Sequence, residues 1–307
     1  MNMRIWVSGT VVVVLAAIYF VSEWILVQPV ATNSEHFPTK MPDRGTPRLL
    51  LESDELGQVT SRQSAEPHCI ALDILVGFAK RQQQLAGSDA QSLLSFISAP
   101  KPEALTDGEW EERVNVVLNA LRVQEKEVPG LTEFLLTTAE QYPSRILRLY
   151  AMQHLALWHH RERSVEKRRE IVALFERLAE KDGEESAGAA VMFLNDLARQ
   201  AEDAGEQGPD PEVIARAALK LAAEPQAKQD VRISALHTCT ERRMTEVLPA
   251  ALTIAADTAA VLPLRKAAVF AIGQLGTAAD RVLLENLEAV TPALRPATTQ
   301  ALMHLQE

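Results

Sequence analysis

The sequence predicts an all-α protein: an α-solenoid of stacked antiparallel helix pairs behind a single N-terminal transmembrane helix. Three observations carry this reading. Hydrophobic residues make up 47% of the 307-residue chain, yet aromatic ones only 5%. Ala and Leu therefore supply most of the apolar surface, which suits closely packed helices better than a thick sheet sandwich. One helical plan appears four times over residues 147–307. An apolar run near the N-terminus is long enough to cross a bilayer.

The clearest copy of the recurring plan is Leu264-Arg265-Lys266-Ala267-Ala268-Val269-Phe270-Ala271-Ile272-Gly273-Gln274-Leu275-Gly276. Pro263 suits the first turn, where its missing N–H would be unpaired in any case. Gly276 is expected to close the helix in a left-handed conformation. Leu264, Ala267, Ala268, Ala271, Ile272 and Leu275 recur at helical spacing and predict the buried stripe. Arg148, Arg232, Arg265 and Arg295 mark the register. Before each stands an aliphatic residue, Leu147, Val231, Leu264 or Leu294; three places after each stands a small one, Ala151, Ala235, Ala268 or Thr298. The intervals between the arginines are 84, 33 and 30 residues. Two-helix repeats run roughly 30 to 47 residues, so the first interval holds about two units and the others one each. A single unit cannot bury its apolar face, so the units must stack. The regular placement of the arginines predicts contacts between repeats.

The pattern Leu264-Arg265-x-x-Ala268-x-x-Ala271-Ile272-x-x-Leu275-Gly276, with the following helix Ala279–Leu287, resembles HEAT repeats. The likeness is to the short bacterial HEAT-like kind also found in phycobilin lyases, and it is clearest over residues 210–307. The resemblance implies an α-solenoid. It also implies an Asp about six residues before each arginine, but those places hold Tyr142, Gln226, Ala259 and Ala289. A regular Asp–Arg ladder is therefore not expected.

In chain order, residues 1–27 read as the anchor. The run from Ile5 to Val27 just exceeds the ~20 residues that a spanning helix needs. Trp6 and Trp24 stand near its ends, where amphipathic rings prefer the headgroup level. The competing reading is a cleaved signal peptide. A cut after Ala31 or Ser22 would put Pro29 or Phe20 where a small residue is required. Retention is therefore expected, with the short N-terminal tail in the cytoplasm and the body in the periplasm. Residues 28–66, punctuated by Pro29, Pro38, Pro42 and Pro47, read as a tether. Leu49-Leu50-Leu51 is an apolar patch within it.

The helical body is expected over 67–307. Ser88-Asp89-Ala90-Gln91 and Thr106-Asp107-Gly108-Glu109 read as capping boxes opening two helices. Pro129-Gly130 breaks the chain before a helix over Leu131–Gln141. The first register helix follows over Ile146–His160, then helices near Val165–Lys181 and Ala187–Glu202. Asp210-Pro211-Glu212 opens three further pairs. Pro296 places the regular start of the last helix near Arg295.

Chemistry is sparse. The formal charge of −10 and pI near 5.3 disfavour nucleic acid as a partner. Two cysteines, Cys69 and Cys239, are too few for a disulfide framework and read as small buried hydrophobes. His154, His159 and His160 diverge around one helix and read as its solvated end. The run from Arg161 to Glu170 reads as a solvated connection, and Glu111-Glu112 and Glu184-Glu185 as solvated charges. His237 and Cys239 stand two apart on a helix and point to different faces, which does not suit a nucleophile–base pair. Motifs for hydrolysis, phosphate cradling or zinc binding are absent from the sequence. No catalytic, cofactor-binding or metal-binding residues are assigned, and the four arginines are assigned a structural role. The expected function is a non-enzymatic scaffold or adaptor that binds protein at the cell envelope. The alternatives are a chromophore- or cofactor-lyase-like protein, which the family resemblance raises, and a periplasmic binding module released by signal cleavage.

Overall fold

The computed structural model describes residues 71–75, 77, 84–181 and 184–305. The expected anchor, the tether with Leu49-Leu50-Leu51, and Cys69 lie outside the described residues. Among the described residues, no helix is long and apolar enough to cross a membrane.

Regular structure among the described residues is helical, without strands. We number the helices α1 (Gly87–Ser98), α2 (Asp107–Arg122), α3 (Leu131–Gln141), α4 (Arg145–Trp158), α5 (Val165–Ala179) and α6 (Glu185–Ala204). There follow α7 (Pro211–Ala223), α8 (Gln229–Glu241), α9 (Leu248–Ala256), α10 (Leu262–Leu275), α11 (Arg281–Val290) and α12 (Arg295–His304).

Local chemistry accounts for several of the helix ends. Thr106 and Glu109 form the expected reciprocal box at α2: the Glu109 amide donates to the Thr106 hydroxyl at 3.3 Å, and the Thr106 amide to the Glu109 carboxylate at 2.9 Å. Ser144, Ser164 and Asp210 accept from backbone amides in the first turns of α4, α5 and α7, each satisfying one orphan donor. Pro211 stands in the first turn of α7. The box expected at Ser88 does not form. Helix α1 starts earlier, at Gly87, behind an extended Ala86 that makes no side-chain cap, so Ser88 already lies inside the first turn. Gly130 (φ 86°) and Gly205 (φ 67°) hold the left-handed turns before α3 and after α6, where a side chain would be strained.

Gly276 does not close α10 as expected. Its φ is −75°, an extended conformation open to any residue. Its need for glycine is spatial instead: a Cβ there would stand 2.5 Å from the Ile272 carbonyl oxygen.

The helices pack in pairs and in two rows. Each of α4, α6, α8 and α10 lies against the odd-numbered helix before it, and against the even-numbered helices on both sides. In the other row α3 touches α5, α5 touches α7, and α7 touches α9. Small residues permit the close approaches. A Cβ on Gly188 of α6 would stand 2.8 Å from the Val231 Cα on α8, and one on Gly273 of α10 would stand 2.5 Å from the Ala301 Cα on α12. The stripe predicted for α10 is buried except at Ala267, which is half-exposed. Val269, Gly273 and Arg265 are buried as well, because α10 is covered by α8, α9 and α12 together rather than along one seam.

Candidate functional site: the open face of the even-numbered helices

The register arginines are docked rather than displayed. Arg148 donates through Nη1 to the Tyr142 carbonyl at 2.8 Å, at the C-terminal end of α3. Arg232 Nε donates to the Ala222 carbonyl at the end of α7 (3.3 Å), and Arg265 Nε to the Ala255 carbonyl at the end of α9 (3.0 Å). Each guanidinium thus satisfies an orphan carbonyl and sits at the negative end of a helix dipole. Arg295 differs: it reaches the Glu288 carboxylate at 3.1 Å and stays exposed. The expected contacts between repeats are therefore corrected to contacts mainly within a pair. Arg265 alone of the four also bridges onward, through Nη2 to the Thr291 hydroxyl at 3.2 Å, where α11 ends. Where the resembled family would have an Asp ladder, backbone carbonyls accept instead.

The arginine register also identifies what stays open. One, two, five and nine places after each arginine, the residue is half-buried or exposed in every register helix. These are Leu149, Tyr150, Gln153 and Leu157 on α4; Ile233, Ser234, His237 and Glu241 on α8; and Lys266, Ala267, Phe270 and Gln274 on α10. The last helix, α12, contributes Pro296, Ala297, Gln300 and His304. On an α-helix such positions share one side. Because the even-numbered helices are successive neighbours, their open sides adjoin.

The chemistry of this face concentrates between α6 and α8. His237 Nε2 stands 3.3 Å from Glu241 Oε1. Buried Asn195 donates to Glu241 Oε2 at 2.7 Å and accepts from Arg242 Nε at 2.6 Å. Arg199 pairs with Asp196 at 3.0 Å. The hydrogen bond from His237 holds the Glu241 carboxyl below its ordinary range, and the same bond raises the His237 imidazole. Burial pushes Asp196 upward, against the attraction of Arg199. Toward α2, Tyr150 is raised by burial and by the nearby Glu111 and Glu112. The face therefore combines apolar side chains with carboxylates.

Cys239 is no partner for His237 on this face. Cys239 is fully buried on the other side of α8, and burial pushes its thiol up to about 12, so it stays protonated and inert. Among the described residues there is no cluster of three His, Cys, Asp or Glu able to hold a metal.

Three other readings need correction. His154 is not at a solvated helix end: it is 3% exposed, with Nε2 3.1 Å from the Asn115 side-chain oxygen. Burial, aided by Arg122, lowers it to about 4, so it is neutral. Glu162 is buried rather than solvated, accepting from the Thr132 hydroxyl at 2.6 Å, the Ser164 amide at 3.0 Å and the Trp158 indole. Burial would raise its carboxyl, but these donors and Lys167 outweigh burial and hold it low. Glu185 is mostly covered and paired with Arg145 and Lys228. All three corrections involve partners far away in sequence, which no local pattern announces. The exposed side of α8, by contrast, follows from the arginine register.

No family model matches the chain, and none of the curated proteins is significantly similar to it.

Proposed function

We propose that the chain is a membrane-anchored scaffold: an α-solenoid of HEAT-like pairs that offers the open face of its even-numbered helices to a protein partner at the cell envelope. In this reading the segment from Ile5 to Val27 is the anchor, the N-terminus is cytoplasmic and the body periplasmic. The protein acts without catalysis or cofactor. One observation supports the reading above the others: the same four register positions stay accessible on α4 and on the consecutive neighbours α8, α10 and α12, and they mix apolar with charged groups. A surface of this kind suits recognition of an extended or helical segment. The tether would raise the local concentration of partners in the same membrane.

The test uses the full-length chain in its native membrane. Tyr150→Glu, His237→Glu and Phe270→Glu should each weaken recovery of the same protein partner while leaving helical content intact. Val165→Glu and Val282→Glu, at exposed positions on the odd-numbered helices, should leave recovery unchanged. Equal effects from both sets would refute the assignment of the face.

A further inference from the structure

The arginine register also marks the side on which each pair meets the next. On α10, Arg265 and the residues four and eight places after it, Val269 and Gly273, are all buried. Positions with this spacing form one strip along a helix. Two contacts show what covers the strip. A Cβ on Gly273 would stand 2.5 Å from the Ala301 Cα on α12, and Arg265 Nη2 reaches the Thr291 hydroxyl, where α11 ends. The strip therefore faces the following pair. Its counterparts are buried as well: Met152 and Ala156 on α4, which packs on α6, and Leu236 and Thr240 on α8, which packs on α10.

On α12 the same strip is Arg295, Thr299 and Met303, and it is exposed throughout. The Arg295 side chain is 65% exposed and Met303 is 77% exposed, more than any other large apolar residue among those described. Thr298 and Ala301, on other sides of the same helix, are buried. The end unit of a stack normally turns a polar side outward. This one presents a methionine on a strip that is covered in α4, α8 and α10.

The strip is complementary to itself. Arg295 and Met303 stand at equal distances, four residues each, on either side of Thr299. A twofold axis through Thr299 sets two such helices antiparallel. Each Arg295 then lies along Met303 of the second copy, stem against thioether, with its guanidinium beside that copy's last-turn carbonyls. This is the setting that Arg232 and Arg265 already find at the ends of α7 and α9. The small Thr299 residues meet on the axis, where their size allows close approach. A parallel pairing would instead put arginine on arginine. Twofold pairing also closes, whereas head-to-tail stacking would continue without end.

We infer that the Arg295–Thr299–Met303 strip of α12 is the contact through which two copies of the chain associate, antiparallel and strip to strip. The contact rests on the packing of the pairs and not on what the open face binds.

Site-specific linking in membranes that carry two differently tagged full-length copies tests it. A photoreactive residue at Thr299 should give a product bearing both tags, and one at Lys266, on the open face, should not. A Thr299 product that holds one tag and a different protein would give the edge to another partner and overturn the inference. Orientation is read in a Cys69→Ser background under mild oxidation. Arg295→Cys in one copy and Met303→Cys in the other should form a disulfide, and Arg295→Cys in both should not. Met303→Lys sets a cation against Arg295 of the second copy and should cut the doubly tagged Thr299 product at least about threefold, and adding Arg295→Glu should restore it. All of these α12 positions are exposed, so helical content should stay unchanged. Absence of the doubly tagged product, equal yields from Thr299 and Lys266, linkage between two Arg295→Cys copies, or no recovery on charge reversal would each overturn the pairing.

Discussion

The stretch from α7 to α12 and the stretch from α1 to α5 solve the same packing problem with different chemistry. In the first, Arg232 and Arg265 each bond a carbonyl ten residues upstream, and Ala and Gly let helices touch almost backbone to backbone. In the second, packing is held by side-chain bonds between distant residues. Trp158 and Glu162 reach Thr132, His154 reaches Asn115, and the Trp110 indole donates to the Tyr142 hydroxyl at 3.1 Å, 32 residues away. Phe96 and Trp110 stack edge-to-face at 5.3 Å. The first stretch is built from a repeated short-range contact, the second from single long-range ones. Damage should therefore act sterically in the first and through unsatisfied polar groups in the second.

The largest expected effect breaks the close approach. Gly273→Val puts a side chain into the Ala301 backbone and should destabilise by about 3 kcal/mol or more. Gly87→Ala, with nothing within 4 Å of its Cβ, should change stability by less than about 0.5 kcal/mol. Denaturant midpoints compare the two, and similar losses would show that α10 and α12 are not so close.

The polar stretch should be sensitive to pH. His154 titrates near 6.5 when unfolded and near 4 when folded, so below about 6.5 the unfolded chain binds the extra proton. Its contribution is complete above that value and is lost as pH falls toward 4, a loss of order 3 kcal/mol. The His154→Gln variant should lack this component of the slope. Identical stability–pH curves over that window would contradict a buried neutral imidazole.

Removing a buried acceptor comes next. Glu162→Ala leaves the Thr132 hydroxyl and the Ser164 amide short of an acceptor, while the Trp158 indole keeps the Thr132 oxygen, and should cost about 2 kcal/mol. A neutral result in thermal denaturation would show that water replaces the carboxylate.

The smallest effects separate the register arginines from one another. Arg265→Met removes a buried donor that serves Ala255 and Thr291, and should cost about 1 kcal/mol. Arg295→Met, at an exposed ion pair, should cost less than about 0.5 kcal/mol. Equal losses would mean that the four arginines share one role after all.

The same contrast explains what was legible in the sequence. Helix content and the α10 register could be read because apolar spacing and small residues are local properties. The four arginines were visible, but their partners were not: a carbonyl acceptor belongs to every residue and leaves no mark. The role of Gly276 was misassigned because glycine serves both left-handed turns and tight approaches. His154 and Glu162 resembled surface residues because Asn115 and Thr132, which make their burial tolerable, stand 39 and 30 positions away. Of the open face, the α8 and α10 portions follow from register alone. Asn195 and Asp196 on α6 do not, because α6 carries no register arginine.

The proposal that this face carries the partner is tested most directly by photo-crosslinking from single positions in living cells. A photoreactive residue is placed in turn at Gln153, His237, Phe270 and Gln300 on the even-numbered helices, and at Val165 and Val282 on the odd-numbered ones. The account predicts one crosslinked protein common to neighbouring even-helix positions and absent from the odd-helix positions. Crosslinks that concentrate on the odd-numbered helices, or fall equally on both rows, would contradict it.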